Sequence, residues 1–138
     1  PSLSGGRLLI VDDNHINLMV AEGLCQKLGY ETEVAESGME AIAVLMSTQQ
    51  SFDLILMDCE MPDMDGFETS RSIIKLQQEG RLPWIPIVAL TADAVPDKIH
   101  ACHAGMVAPL ANPINKARLM ATLKQVLRDP GKGSRDRA

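Results

Sequence analysis

Aromatic side chains are scarce in this chain of 138 residues: Tyr30, Phe52, Phe67 and Trp84 are the full set. Any core must therefore be built from aliphatic side chains. The three cysteines, Cys25, Cys59 and Cys102, are odd in number and lack CxxC spacing. That excludes a disulfide framework and a cysteine zinc site, and it suits the reducing cytosol. No apolar run approaches the roughly 18 residues that a membrane helix needs, so no direct membrane insertion is expected. Basic residues are few, and the formal net charge is −5. Arg128 to Ala138 holds four basic and two acidic residues, so the body is more acidic than the whole. Nothing clusters enough Lys and Arg to neutralise a phosphate backbone, which argues against nucleic acid as a partner. Internal repeats are absent, and so is low-complexity sequence outside the tail.

What remains is an alternation of short aliphatic runs and helical patterns in a length suited to one domain. Residues 1–6 read as linker, 7–128 as the folded domain and 129–138 as a flexible tail with nothing to bury. The chain opens without an initiator Met and reads as a piece of something longer. Strands are expected over Leu8–Val11, Thr32–Ala35, Asp53–Met57, Ile85–Leu90 and Met106–Leu110. Helices are expected over Asn14–Leu28, Gly38–Met46, Asp65–Gln78 and Val95–Ala104, with a last helix capped by Asn115. In the first helix the repeat Ile16, Val20, Leu24, Leu28 marks the expected buried face. The last helix carries Leu119, Leu123, Val126 and Leu127 as its stripe. The eight methionines read as core filler. Strands without polar alternation imply burial on both faces, hence an α/β, doubly wound (βα)5 flavodoxin-like fold with a parallel five-stranded sheet in the order 2-1-3-4-5.

In such a sheet ligands bind at the carboxyl ends of the strands. Asp12 and Asp13 end the first strand, Asp58 the third and Thr91 the fourth, and strands 1, 3 and 4 are neighbours in that order. Taken singly, an Asp pair is often only a helix cap. Asp63 and Asp65 read as turn and cap residues, and His15, His100 and His103 as surface or loop residues. The joint placement is what points to chemistry. Converging carboxylates repel unless a cation sits among them. Mg2+ accepts one or two carboxylates, a carbonyl, waters and a phosphate oxygen. Asp58 is then delivered to a pocket where a carboxylate can attack a phosphoryl group.

These residues resemble the receiver domain of two-component response regulators, from about Arg7 to Leu127. The resemblance rests on LLIVDDN at 8–14, LILMDCEMPDMDGFE from Leu54 to Glu68, IPIVALTA at 85–92 and the NPI step at 112–114. The wording is most like the receivers of hybrid sensor histidine kinases. It implies that Asp58 accepts a phosphoryl group from a histidine kinase or histidine phosphotransfer domain. Asp12, Asp13, Asp58 and the backbone carbonyl of Glu60 would hold Mg2+, and Thr91 would hydrogen-bond the phosphoryl oxygens. Glu60 and Asp93 would influence the loss of phosphate, so that the domain promotes its own phosphorylation and dephosphorylation. It also implies a cytoplasmic location, as the cytosolic part of a membrane-bound kinase, and allows for a weak dimer through helix 4 to helix 5.

Two positions depart from the family pattern. Asn112 stands where the family has a lysine, and Pro109 where it has an aromatic switch residue. A neutral amide gives a weaker hydrogen bond than an ammonium, and proline has neither a rotating ring nor an N–H. Lys116, one helical step on, is not expected to substitute. The alternative reading is a degenerate receiver that acts as a phosphorylation-independent interaction module. A haloacid-dehalogenase-type phosphatase would need Asp where Glu60 stands, and a flavodoxin would need a Gly/Ser/Thr-rich loop where DDNHIN stands.

Overall fold

Four apolar residues in a row suit a strand only where both of its faces are covered. The computed structural model, which describes residues 6–47, 51–61, 64–91, 105–111 and 114–128, places two such strands at the centre of a parallel sheet. They are β3 (Leu54–Asp58) and β4 (Ile87–Thr91), both buried throughout. β1 (Arg7–Val11) lies on the other side of β3, and β2 (Glu31–Ala35) forms the edge beside β1. β5 (Val107–Ala111) pairs with β4 at the opposite edge.

The pleat sends alternate side chains of each strand to opposite faces. Leu9, Val11, Ile55, Met57, Ile87 and Ala89 face one core. Against them lie Ala41 and Leu45 of α2 (Gly38–Ser47) and Ile73 of α3 (Gly66–Gln78). Leu8, Ile10, Leu54, Leu56, Val88 and Leu90 face the other. That core is covered by Leu18, Ala21 and Cys25 of α1 (His15–Lys27) and by Leu119 and Leu123 of the C-terminal helix (Lys116–Arg128). Each fully buried aliphatic side chain contributes about 1.5–3 kcal/mol, so the two-layered core needs no staple.

The structure corrects several expectations. The buried face of α1 is Leu18, Ala21 and Cys25, with Leu24 and Leu28 at its margin. Ile16 is 68% exposed and Val20 45%. At 3.6 residues per turn a strict four-residue repeat drifts about 40° per step, so the expected stripe winds off the buried side. The methionines are not all core: Met57, Met61 and Met106 are buried, but Met19, Met39, Met46 and Met120 are exposed. The third strand starts and ends one residue later than expected, and the fourth runs Ile87–Thr91. Asp58 and Thr91 are therefore the last residues of their strands. Pro86 precedes β4, and its carbonyl accepts from the Ile55 N–H at 2.9 Å.

Other expectations hold. Gly29 follows α1 with φ 95°, a backbone that favours glycine. Asp65 caps α3 through the Glu68 N–H at 2.9 Å, and Asn115 accepts from the Arg118 N–H at 3.1 Å. Trp84 is a half-exposed loop residue. The β4–β5 register shifts between Val88 and Leu90, and Pro109 falls in that irregularity, where a missing N–H is tolerated. The expected helix over 95–104 lies outside the described residues, as do Asp63, Asp93, His100, Cys102, His103, Asn112 and the tail.

Candidate functional site

The register brings the site together. Val11 pairs with Met57, so Asp12 is level with Asp58 on the neighbouring strand. Asp58 pairs with Leu90, and Thr91 stands one residue beyond on the third strand of the trio. Carboxylate oxygens of Asp12, Asp13 and Asp58 all lie within 4.8 Å of one another. Asp12 is 1% exposed, Thr91 6% and Asp58 8%, whereas Asp13 is exposed.

Local hydrogen bonds hold these groups in place. The Asp12 N–H donates to the Ala35 carbonyl at 3.1 Å, which ties it to the end of β2. Its Oδ1 accepts from the Asn14 N–H at 2.9 Å. The Asn14 side chain in turn caps α1, accepting from the N–H groups of Ile16 and Asn17 at 2.9 and 3.0 Å. The other carboxylate oxygen of Asp12, Oδ2, is buried and has no hydrogen-bond partner. Asp58 Oδ1 accepts from the Glu60 N–H at 3.1 Å.

Burial, the largest cause, pushes the Asp58 carboxyl from 3.8 up to about 8, and the charges of Asp12 and Asp13 push the same way. The Glu60 N–H opposes the shift only in part. Three carboxylates gathered at the strand ends, with Asp58 pushed toward its neutral form by burial and by the other two charges, fit a cation-binding site. The donor set is all hard oxygen, which fits Mg2+ and not a thiophilic metal.

Asp12, Asp13 and Asp58 thus come together at the strand ends, and Thr91 ends the neighbouring strand β4. Glu60 lies in the loop after β3, two residues past Asp58. His15 is an exposed residue whose Nδ1 lies 3.9 Å from Glu36. Cys59 is buried in the core on the α2–α3 side, and Lys116 is exposed. Two contributors are not evident from the sequence argument. Asn14 anchors the start of α1 beside Asp12, and the Asp-Asp-Asn run was its signal. Gly66 packs directly against the Asp58 backbone, signalled only by a glycine following a capping aspartate.

No helix among the described residues is long and apolar enough to cross a membrane. The family model for the response regulator receiver domain matches residues 8–124. Hybrid signal transduction histidine kinase L of Dictyostelium discoideum is 37% identical over 127 residues, covering 91% of this chain and 7% of that protein. The aerobic respiration control sensor protein ArcB of Escherichia coli is 36% identical, covering 86% of this chain and 15% of that protein. The chain therefore spans a small part of these curated relatives. Among solved structures, the receiver domain of sensor histidine kinase PA1611 from Pseudomonas aeruginosa has a TM-score of 0.77 at 36% identity, over 91% of this chain and 99% of that one. That structure has a magnesium ion coordinated in its active site cleft. With the strand-end carboxylates in place and the family model spanning nearly the whole folded body, this chain belongs to the response regulator receiver domain family, and its relatives are the receivers of hybrid histidine kinases.

Proposed function

We propose that this receiver takes its phosphoryl group on Asp58, from a phosphohistidine of a histidine kinase or histidine phosphotransfer domain. The observation that carries this reading is the buried Asp58 carboxyl within 4.8 Å of the carboxylates of Asp12 and Asp13. A carboxylate oxygen of Asp58 attacks phosphorus, the phosphorus–nitrogen bond to the histidine breaks, and the imidazole nitrogen leaves with the bond's electron pair. The Asp58 carboxylate must be unprotonated for this step. Asp12, Asp13, Asp58 and the backbone carbonyl of Glu60 would hold Mg2+, which supplies neutralising charge when bound. Thr91, at the end of β4, would hydrogen-bond a phosphoryl oxygen through its hydroxyl. Glu60 and Asp93 would tune hydrolysis of the acyl phosphate.

The donor has an apolar landing place beside the site. Ile16, Met19 and Val20 share the exposed side of α1, whose first residues follow Asp13 and Asn14. The domain would be a doubly wound (βα)5 fold over residues 7–128, followed by a tail or linker, 129–138. Asn112 in the lysine position and Pro109 in the aromatic position would impair or alter the coupling of phosphorylation to the face of helix 4, strand 5 and helix 5. Any weak dimer would use that face. A cytosolic location within a hybrid kinase is consistent with the relatives.

Intact mass after incubation with Mg2+ and acetyl phosphate tests the reading. One added phosphoryl group is expected on the parent and none on Asp58→Asn. No gain from either acetyl phosphate or a phosphohistidine donor, in folded protein supplied with Mg2+, would instead support an interaction module that needs no phosphate.

A further inference from the structure

Glycine is a poor choice for the first turn of a helix on propensity alone. Gly66 nevertheless opens α3 directly after its cap Asp65. The packing supplies a reason. A Cβ placed on Gly66 would collide with the Asp58 carbonyl oxygen, and would stand 2.8 Å from the Asp58 carbonyl carbon and 2.8 Å from the Cys59 Cα. All three are backbone atoms at the end of a central strand. That backbone cannot easily yield, because β3 pairs with β1 and β4 on its two sides and the Cys59 N–H donates to the Leu90 carbonyl at 2.9 Å.

The helix side of the contact is equally fixed. The Gly66 N–H donates to the Cys59 carbonyl at 3.1 Å. The Thr69 hydroxyl donates to the Asp65 carbonyl at 2.8 Å, and the Asp65 carboxylate accepts from the Glu68 N–H. Gly80, just past the far end of α3, offers a contrast: its φ of 77° disfavours any side chain, yet a Cβ there would meet nothing within 4 Å.

We propose that Gly66 is a positioning residue for phosphoryl acceptance: lacking a side chain, it lets the first turn of α3 rest on the Asp58–Cys59 backbone and so fixes the Asp58 carboxylate against Asp12 and Asp13. The inference rests on Asp58 as the acceptor. Displacing that backbone moves a metal-ligand carboxylate and the nucleophile together. Disturbing a metal ligand's support typically weakens metal binding by about 10- to 100-fold. Misplacing a reacting group by about 1 Å can slow a reaction by about 100-fold.

The test uses Gly66→Ala and Gly80→Ala in the full chain. Urea unfolding, Mg2+ affinity by calorimetry and the rate of phosphoryl uptake from acetyl phosphate are measured on each. Both variants are expected to lose stability. Gly66→Ala alone should weaken Mg2+ binding by about tenfold or more, and slow uptake at saturating Mg2+ by about 100-fold. Folded Gly66→Ala with the parent's affinity and rate would overturn the proposal. So would equal losses in Gly80→Ala, which would mean general loosening. Should Gly66→Ala not fold, the parent's amide spectrum decides. The Gly66 amide must shift along the Mg2+ titration with the midpoint of the Asp13 and Glu60 amides, and an unmoved Gly66 amide overturns the proposal. A parent that binds Mg2+ yet takes no phosphate would refute Asp58 as acceptor and leave the Gly66 contact standing on the Mg2+ data.

Discussion

Replacing Asp58 by Asn should make the metal-free protein more stable, and the gain should depend on pH. Asp12 and Asp58 are both buried, with carboxylate oxygens within 4.8 Å. Two unit charges at that separation repel by about 3.5 kcal/mol at an effective dielectric constant of about 20. Asp58 retains some contact with solvent, and Asn keeps its own desolvation cost, so about 2 kcal/mol is the expected gain when Asp58 is ionised. For a domain of this size that is a rise of about 8 °C in the melting temperature. The folded carboxyl titrates near 8 against an ordinary value of 3.8. An acid whose folded value is raised contributes stability that is present below its unfolded value and is lost as pH rises through the folded value. The advantage of the amide should therefore grow from about pH 4 and level off above about pH 8.

Thermal unfolding of both proteins in EDTA, at about pH 5 and about pH 8.5, reads this directly. Mg2+ should then stabilise the parent at the higher pH by about 2.7 kcal/mol at 100 times its dissociation constant, and Asp58→Asn by much less. An Asp58→Asn protein no more stable than the parent at the higher pH, or one whose advantage is the same at both, would refute the electrostatic account of the site.

Below about pH 8, Mg2+ must displace the Asp58 proton, so its apparent affinity should rise by about tenfold per pH unit over the approach to that value. Calorimetry in buffers of different ionisation enthalpy should show about one proton released near neutral pH, and zero release would contradict the raised carboxyl. The double substitution Met19→Ala with Val20→Ala should leave stability within about 1 kcal/mol of the parent and uptake from acetyl phosphate unchanged. Transfer from a phosphohistidine domain should slow by about tenfold, a loss of about 1.4 kcal/mol in docking; unchanged transfer would move the landing place elsewhere. Asn14→Ala should lose about 1 kcal/mol in urea unfolding, because the N–H groups of Ile16 and Asn17 lose their cap.

The central sheet and the core of the site were legible because both depend on local pattern. LILM and IVAL are unbroken apolar runs of strand length, which suits strands covered on both faces, and their neighbours in the sheet follow from the alternation with helices. Asp12, Asp13, Asp58 and Thr91 follow in turn, since strand ends are where such a sheet binds ligands. Less legible was whatever depends on which side of an element meets its neighbour. In α1 the small residues Ala21 and Cys25 face the sheet while Ile16 and Met19 face out, a choice that hydrophobicity alone reverses. The exposed methionines fail for the same reason. The contact of Gly66 with the Asp58 backbone joins residues eight apart through a loop turn, and no periodicity encodes it.

The most direct test of the account is to phosphorylate a histidine phosphotransfer domain with labelled phosphate, mix it with this chain and Mg2+, and reduce the product with borohydride. Reduction converts an aspartyl phosphate to homoserine at the residue that carried it. The account predicts homoserine at position 58 and none when Asp58→Asn replaces the parent. Homoserine at any other position, or no transfer to folded protein in the presence of Mg2+ from a donor shown to phosphorylate another receiver, would contradict it.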